Sequence, residues 1–423
     1  MRDPFFMSDS DLYRRNFRLH LIEGSLYLAS FAFLNFQVVY PALVRRLGGN
    51  DIAIGALPVL TYICYFVPQV FAANYATKTP FRRSWVLGLG MIQRIHVLAL
   101  AVCIALFGGT NPALALALFM IVYSLNQFSA GLGSPSWFDF VAKTTLPGKR
   151  GKLMGIRTSV GATMGFLNSI ILTSVLALLK FPWDYSALFA MAFVYQMASL
   201  LVLRKVSGEY PSVVEPPVPV RQLWVRVISI VKADQTYRRF LLASGVSTIG
   251  LVSVGFFAVA ALKRFLLPDS YVGFFTMTLL GGQVVLAGLL GFAADRKGHK
   301  LSLMVCSGSM AAASVLAIVA PHPVVFFIIF AVVGLTFGME MITRYNFASD
   351  CATDATRPMY IGIMNAWLAP FFLFSLLGGF ISQMFGYDIV FAAGSLSSLT
   401  GFLLLRRLRD PRVAAAIVPP AST

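Results

Sequence analysis

Runs of about 20 apolar residues, each long enough to cross a lipid bilayer as a helix, recur through this 423-residue chain and are separated by short polar breaks. Nothing else in the sequence restricts its folding so strongly. At roughly 20 apolar residues per transmembrane helix, the length holds about a dozen such spans. The fold class is therefore an all-α integral membrane protein. Only 12% of residues are charged, about half the share usual in soluble domains, so a water-soluble fold is excluded. The runs lie near 18–42, 52–74, 85–107, 112–138, 153–179 and 184–206, then 238–262, 270–294, 300–320, 323–348, 359–385 and 386–406, which predicts twelve transmembrane helices.

Distribution of the bases sets the orientation. Of 34 Lys and Arg, 28 fall in or beside the tails and the even-numbered loops. Five (Arg45, Arg46, Lys180, Lys263 and Arg264) fall on the other side, and Arg94 stands alone within a span. Short cytoplasmic loops hold the basic excess, so both termini are expected in the cytoplasm of a multi-pass protein of the cytoplasmic (inner) membrane. The net charge of +17 is thereby explained by topology, without a nucleic-acid partner. The tails are 1–17 and 407–423. The polar, basic start lacks a small-residue cleavage site and reads as leading into an uncleaved first helix. Cys64, Cys103, Cys306 and Cys351 form no CxxC, so no disulfide framework, metal site or cofactor is expected.

Residues 207–237 form a proline-rich linker followed by RQLWVRVISIV, which either lies on the membrane surface or merely joins two halves. The loops also repeat. KTPFRRS follows span 2 and PGKRGKLMG span 4; DRKGHK follows span 8 and TRPMYIG span 10. Arg150 and Arg357 each precede a glycine, Gly155 and Gly362, by five positions. Two pseudo-symmetric six-helix bundles are implied, 18–206 and 238–406, a build that recurs among transporters.

In GFAADRKGHK, Gly291, Asp295, Arg296, Gly298 and Lys300 follow the spacing Gly-x-x-x-Asp-Arg/Lys-x-Gly-Arg/Lys-Arg/Lys. On this motif, the twelve spans and the central loop, the chain resembles the major facilitator superfamily of secondary transporters. His299 departs from the pattern, and the corresponding first-half stretch FAANYATKTPFRRS keeps only Arg82 and Arg83. The resemblance implies a monomeric carrier with no enzymatic chemistry. It would move a small-molecule substrate by alternating access, with protons as a coupling ion open to it. The residue types have their own logic: Gly298 tolerates the left-handed backbone of a tight reversal, whereas Asp295 ends its helix against the dipole and needs an outside partner. We expect that partner at the start of span 5, at Arg157 and the free N–H groups of its first turn beyond Arg150, forming a cytoplasmic latch. The alternative is that Arg296 and Lys300 only report topology.

Ionisable residues inside spans are costly and mark functional candidates. Glu23 lies about a turn inside span 1, within reach of Arg18 or a loop arginine. Glu340 lies inside span 10 with Arg344 four residues on, so the two can pair along one face. The resemblance implies that spans 1, 4, 7 and 10 line the transport path, which places these acids on it. Arg94, about 13 Å into span 3 at 1.5 Å per residue, requires a partner, and a structural ion pair is favoured there over a ligand contact. Asn126 and Gln127 in span 4 join the path, or else join helices by hydrogen bonds. Phe31, Tyr123, Phe128, Phe256 and Phe337 are divided between core packing and a lining suited to an amphipathic organic solute and the membrane lipids around it. GATMG at 161–165 has spacing for close helix packing, and Pro58, Pro68 and Pro370 are expected to bend spans 2 and 11. NPA at 111–113 and GLGSPS at 131–136 carry no recognised chemistry. Rival readings are a non-transporting assembly factor or sensor of the same fold, and a lipid flippase.

Overall fold

A computed structural model describes residues 9–76, 79–211, 220–353 and 356–408, and the side chains of 9, 10, 70, 73–76, 147, 220–226, 291–297 and 358 lie outside that description. Among the described residues the regular structure is helical. Eleven stretches are long and apolar enough to cross a membrane. The remaining span opens the chain as α1 (Asp9–Ala29), breaks into a 3-10 turn at Ser30–Ala32, and resumes as α2 (Val39–Arg46). No proline or glycine lies between Ala29 and Val39, but Pro41 stands in the first turn of the resumed helix. Two further spans are interrupted in the same manner: α9 (Gln235–Gly250) and α10 (Val254–Arg264) flank a 3-10 turn, as do α14 (Arg357–Leu368) and α15 (Phe374–Phe385) around Pro370. By contrast α3 (Asp51–Ala76) runs as one helix through Pro58 and Pro68.

The other helices are α4 (Arg83–Phe107), α5 (Pro112–Thr144), α6 (Arg150–Leu178), α7 (Trp183–Leu203), α8 (Val220–Ala233), α11 (Tyr271–Lys297), α12 (His299–Val319), α13 (Val324–Asp350) and α16 (Tyr387–Arg406). Local chemistry sets several of their ends. Asn111 accepts from the Leu114 N–H at 3.1 Å with Pro112 in the first turn. Asp234 caps α9 through the Tyr237 N–H at 2.8 Å. Both arrangements satisfy donors that a helix start leaves unpaired.

The described residues form two compact units. One holds those up to Asn35 and from Leu60 to 211; the other holds Phe36–Val59 and those from 220 onward. Inside the first unit α1 packs on α6 and α7, and α4 on α5 and α7. Inside the second, α9 packs on α14 and α16, and α12 on α13 and α16. Counted from the start of each half, these are the same partnerships, as a repeated six-helix design demands. Helix α8 lays Val227, Ile230 and Val231 against a second-unit core containing Tyr237, Phe240 and Phe347.

Candidate functional site

In the first unit, α1 and α6 approach so closely that a Cβ on Gly161 would meet Leu28 and the Ser25 carbonyl, which is the role read for GATMG. Gly24 goes further: a Cβ there would collide with the Arg157 guanidinium. The guanidinium therefore lies against bare backbone of α1. Its Cζ is also 4.6 Å from the Trp137 ring centroid. Glu23, the residue before Gly24, places a carboxylate oxygen 3.8 Å from Arg157 Nη2. That is an ion pair but lies beyond hydrogen-bond range.

Arg94 reaches the same cluster from the middle of α4. It donates to the carbonyls of Gln196 at 3.0 Å and Gly90 at 2.9 Å, and its Cζ lies 5.3 Å from the Tyr27 ring centroid. Gln93 donates to the Tyr27 hydroxyl at 2.8 Å, and Asn126 to the Gln93 carbonyl at 2.9 Å. Asn126 thus joins α5 to α4, and half-buried Gln127 follows it on α5. Glu23, Arg94 and Arg157 are 3%, 4% and 5% exposed. All three line a cavity of about 300 Å³ whose other walls include Tyr27, Leu28, Leu89, Trp137 and Leu203. A charged cluster beside an apolar, partly aromatic wall can orient a small amphipathic molecule.

The second unit carries its buried charge differently. Arg344 Nη2 meets Glu340 Oε1 at 2.5 Å along α13 and also donates to the Ser244 carbonyl at 3.2 Å. The pair anticipated from the i, i+4 spacing is formed, and the residues that line the first unit's cavity do not include it.

The sequence of residues 240–421 matches the Major Facilitator Superfamily profile. Solved structures extend the likeness to nearly the whole chain. The nucleoside transporter NupG superposes with a TM-score of 0.72 at 12% identity, over 94% of this chain and 99% of its own. A D-xylose-proton symporter gives 0.69 at 14% identity, over 95% and 99%. The peptide transporter POT, solved in complex with sulfate, gives 0.70 at 12% identity, over 97% and 99%. No curated protein matches the sequence significantly. The fold is that of the major facilitator superfamily.

Within this major facilitator fold, the motif that suggested the resemblance is a one-residue connection. Gly298, at φ 87° and ψ 162°, is the sole residue between α11 and α12, a backbone region that is essentially glycine's alone. Lys300 donates to the Arg406 carbonyl at 2.8 Å, tying α12 to the end of α16. The side chains of Gly291, Asp295 and Arg296 lie outside the described residues. Arg157, expected opposite Asp295, is found on Glu23, which the sequence had paired with Arg18 or a loop arginine. Arg150 donates to the Ala142 carbonyl, closing the α5–α6 turn.

Two further charged clusters escaped sequence reasoning. Arg82 pairs with Asp139 of α5 at 2.9 Å, and Glu209 accepts the backbone N–H groups of Arg82 and Arg83 at the start of α4. Asp51, in the first turn of α3, accepts from Ser382 at 2.8 Å, Tyr387 at 3.1 Å and Arg45 at 3.3 Å. Close to it, Arg46 stands 3.7 Å from Asp269, in the loop between α10 and α11, where burial pushes that carboxyl up and Arg46 pulls it down. Most partners of these acids lie far off in sequence, where no periodic pattern signals them, although Asp139 also meets Lys143, four residues on along α5, at 3.0 Å.

Proposed function

We propose that this protein is a secondary active transporter that moves a small organic solute across the cytoplasmic membrane by alternating access. The observation that carries the reading is the first-unit cavity, in which Glu23, Arg94 and Arg157 are withdrawn into a helical bundle at an energetic cost beside aromatic walls. Glu340 and Arg344 are hydrogen-bonded to each other, whereas Glu23 and Arg157 stand 3.8 Å apart on the cavity wall. The nucleoside, xylose and peptide transporters that share the fold support a carrier of small molecules. Both termini are assigned to the cytoplasm from the distribution of bases, and Asp295 with Gly298 to the cytoplasmic gate from the motif. Coupling to protons would run through Glu23, the acid on the cavity wall.

Single cysteines at Ser134 and Thr158, which line the cavity, test the reading in a chain cleared of Cys64, Cys103, Cys306 and Cys351. Membrane-impermeant maleimide applied separately to inside-out and right-side-out vesicles should label each position from both sides, because an alternating carrier exposes its cavity to both. Labelling from one side only would instead support a non-transporting sensor or assembly factor.

A further inference from the structure

We infer that the first-unit cavity is a binding site for a small monoanion with a flat apolar body, its carboxylate taken by Arg157 and its body laid along Trp137. The inference rests on the carrier reading above for its purpose, but its evidence is the state of one guanidinium. An arginine offers five N–H donors in a rigid fork. Arg94 uses its donors on the Gln196 and Gly90 carbonyls. Arg157, equally buried, has a single hydrogen-bond acceptor in reach, the Met154 thioether at 3.9 Å, and thioethers accept weakly. Its Nε has no hydrogen-bond partner, nor does Glu23 Oε2, whose contact with Arg157 is the 3.8 Å ion pair. A buried guanidinium with unmet donors is costly to keep, and here it borders a cavity rather than solid protein.

The walls of the cavity define what fits it. Gly24 and Trp137 both pack close on the guanidinium, and its N–H fork is of the kind that a carboxylate meets in a bidentate pair. Trp137, Tyr27, Leu28 and Leu89 offer a mostly apolar wall to the rest of the molecule. Charge selects the sign. Among the described lining residues the only formal charges are those of Glu23, Arg94 and Arg157, which leave a net positive cavity that a monoanion neutralises. At about 300 Å³ the space is at the small end of ligand cavities. Glu23 then acts as an internal competitor, an anion at 3.8 Å that loosely holds the place the substrate carboxylate takes.

Thermal unfolding and isothermal titration of the full chain purified in detergent, with sodium benzoate, benzyl alcohol and benzylammonium chloride as probes, test the inference. Benzoate should bind saturably and raise the melting temperature, whereas the neutral and cationic analogues should not. Arg157→Lys, which keeps the charge but removes the fork, should weaken benzoate binding about tenfold or more. Glu23→Gln should tighten it several-fold, a gain that no misfolded variant can mimic. Preference for benzylammonium, indifference to R157K, loss of benzoate binding in E23Q, or no binding of any of the three probes would each overturn the inference. Two-sided labelling at positions 134 and 158 does not depend on the probe. A chain that alternates but ignores benzoate loses only the anion site; one that binds benzoate but is labelled from one side keeps the site and loses the carrier reading.

Discussion

Two buried Glu–Arg pairs occupy the two units, and they are built to opposite standards. Glu340 and Arg344 are four residues apart on one helix, meet at 2.5 Å, and have the Ser244 carbonyl as a third member. Glu23 and Arg157 come from different helices, stand 3.8 Å apart and leave donor and acceptor atoms unmade next to a cavity. Burial alone therefore does not separate a structural pair from a site, since all four side chains are almost fully withdrawn from solvent. The contact within the pair does, since Arg157 and Arg344 both leave Nε without a hydrogen-bond partner but only Glu340 and Arg344 are hydrogen-bonded to each other. A closed pair recovers its desolvation cost within the protein, whereas an open one reserves part of that recovery for a ligand.

The contrast is sharpest at Arg344. Replacing it with methionine strands Glu340 in the core and should cost about 3–5 kcal/mol, read as a large fall in the melting temperature of the detergent-purified protein. Joint replacement, Glu340→Leu with Arg344→Met, should restore most of that loss; if it does not, the pair does more than neutralise itself. A smaller effect is expected at Asp51, a satisfied acid with three donors. Asp51→Asn retains the shape but weakens charge-assisted bonds each worth about 1.5–3 kcal/mol, and a melting curve matching wild type would remove Asp51 from the class of structural acids.

Gly24→Ala pushes on the guanidinium of Arg157 rather than on backbone. Since a side-chain end can move, the expected stability loss is about 1 kcal/mol, near the lower bound for overpacking, while benzoate binding should fall markedly. Glu23→Gln should be the mildest of the four, costing about 1 kcal/mol or less because no ordinary hydrogen bond to Arg157 is lost. A cost for Glu23→Gln as large as that for Glu340→Gln, measured side by side, would erase the distinction between the two pairs.

Much of the fold was legible in the sequence because lipid imposes a local rule. A helix in hydrocarbon must be apolar over roughly 20 residues, so hydropathy alone locates spans such as 85–107 and 112–138 to within a few residues of α4 and α5. The Glu340–Arg344 pair and the left-handed Gly298 were legible for the same reason, since each depends only on spacing along one segment. The break after Ala29 was less so, because the residues there, SFAFLNFQ, include neither glycine nor proline and Pro41 comes only in the first turn of α2.

What the sequence by itself determined is which charges enter the apolar segments, since position along a helix is a one-dimensional property. Which of them meet was decided by tertiary structure alone. Glu23 and Arg157 are separated by more than a hundred residues, and their encounter depends on the azimuth at which α1 and α6 face each other, fixed by close contact at Gly24 and Gly161. That rotation arises from side-chain volumes on both helices at once, and no reading along a single strand of sequence contains it.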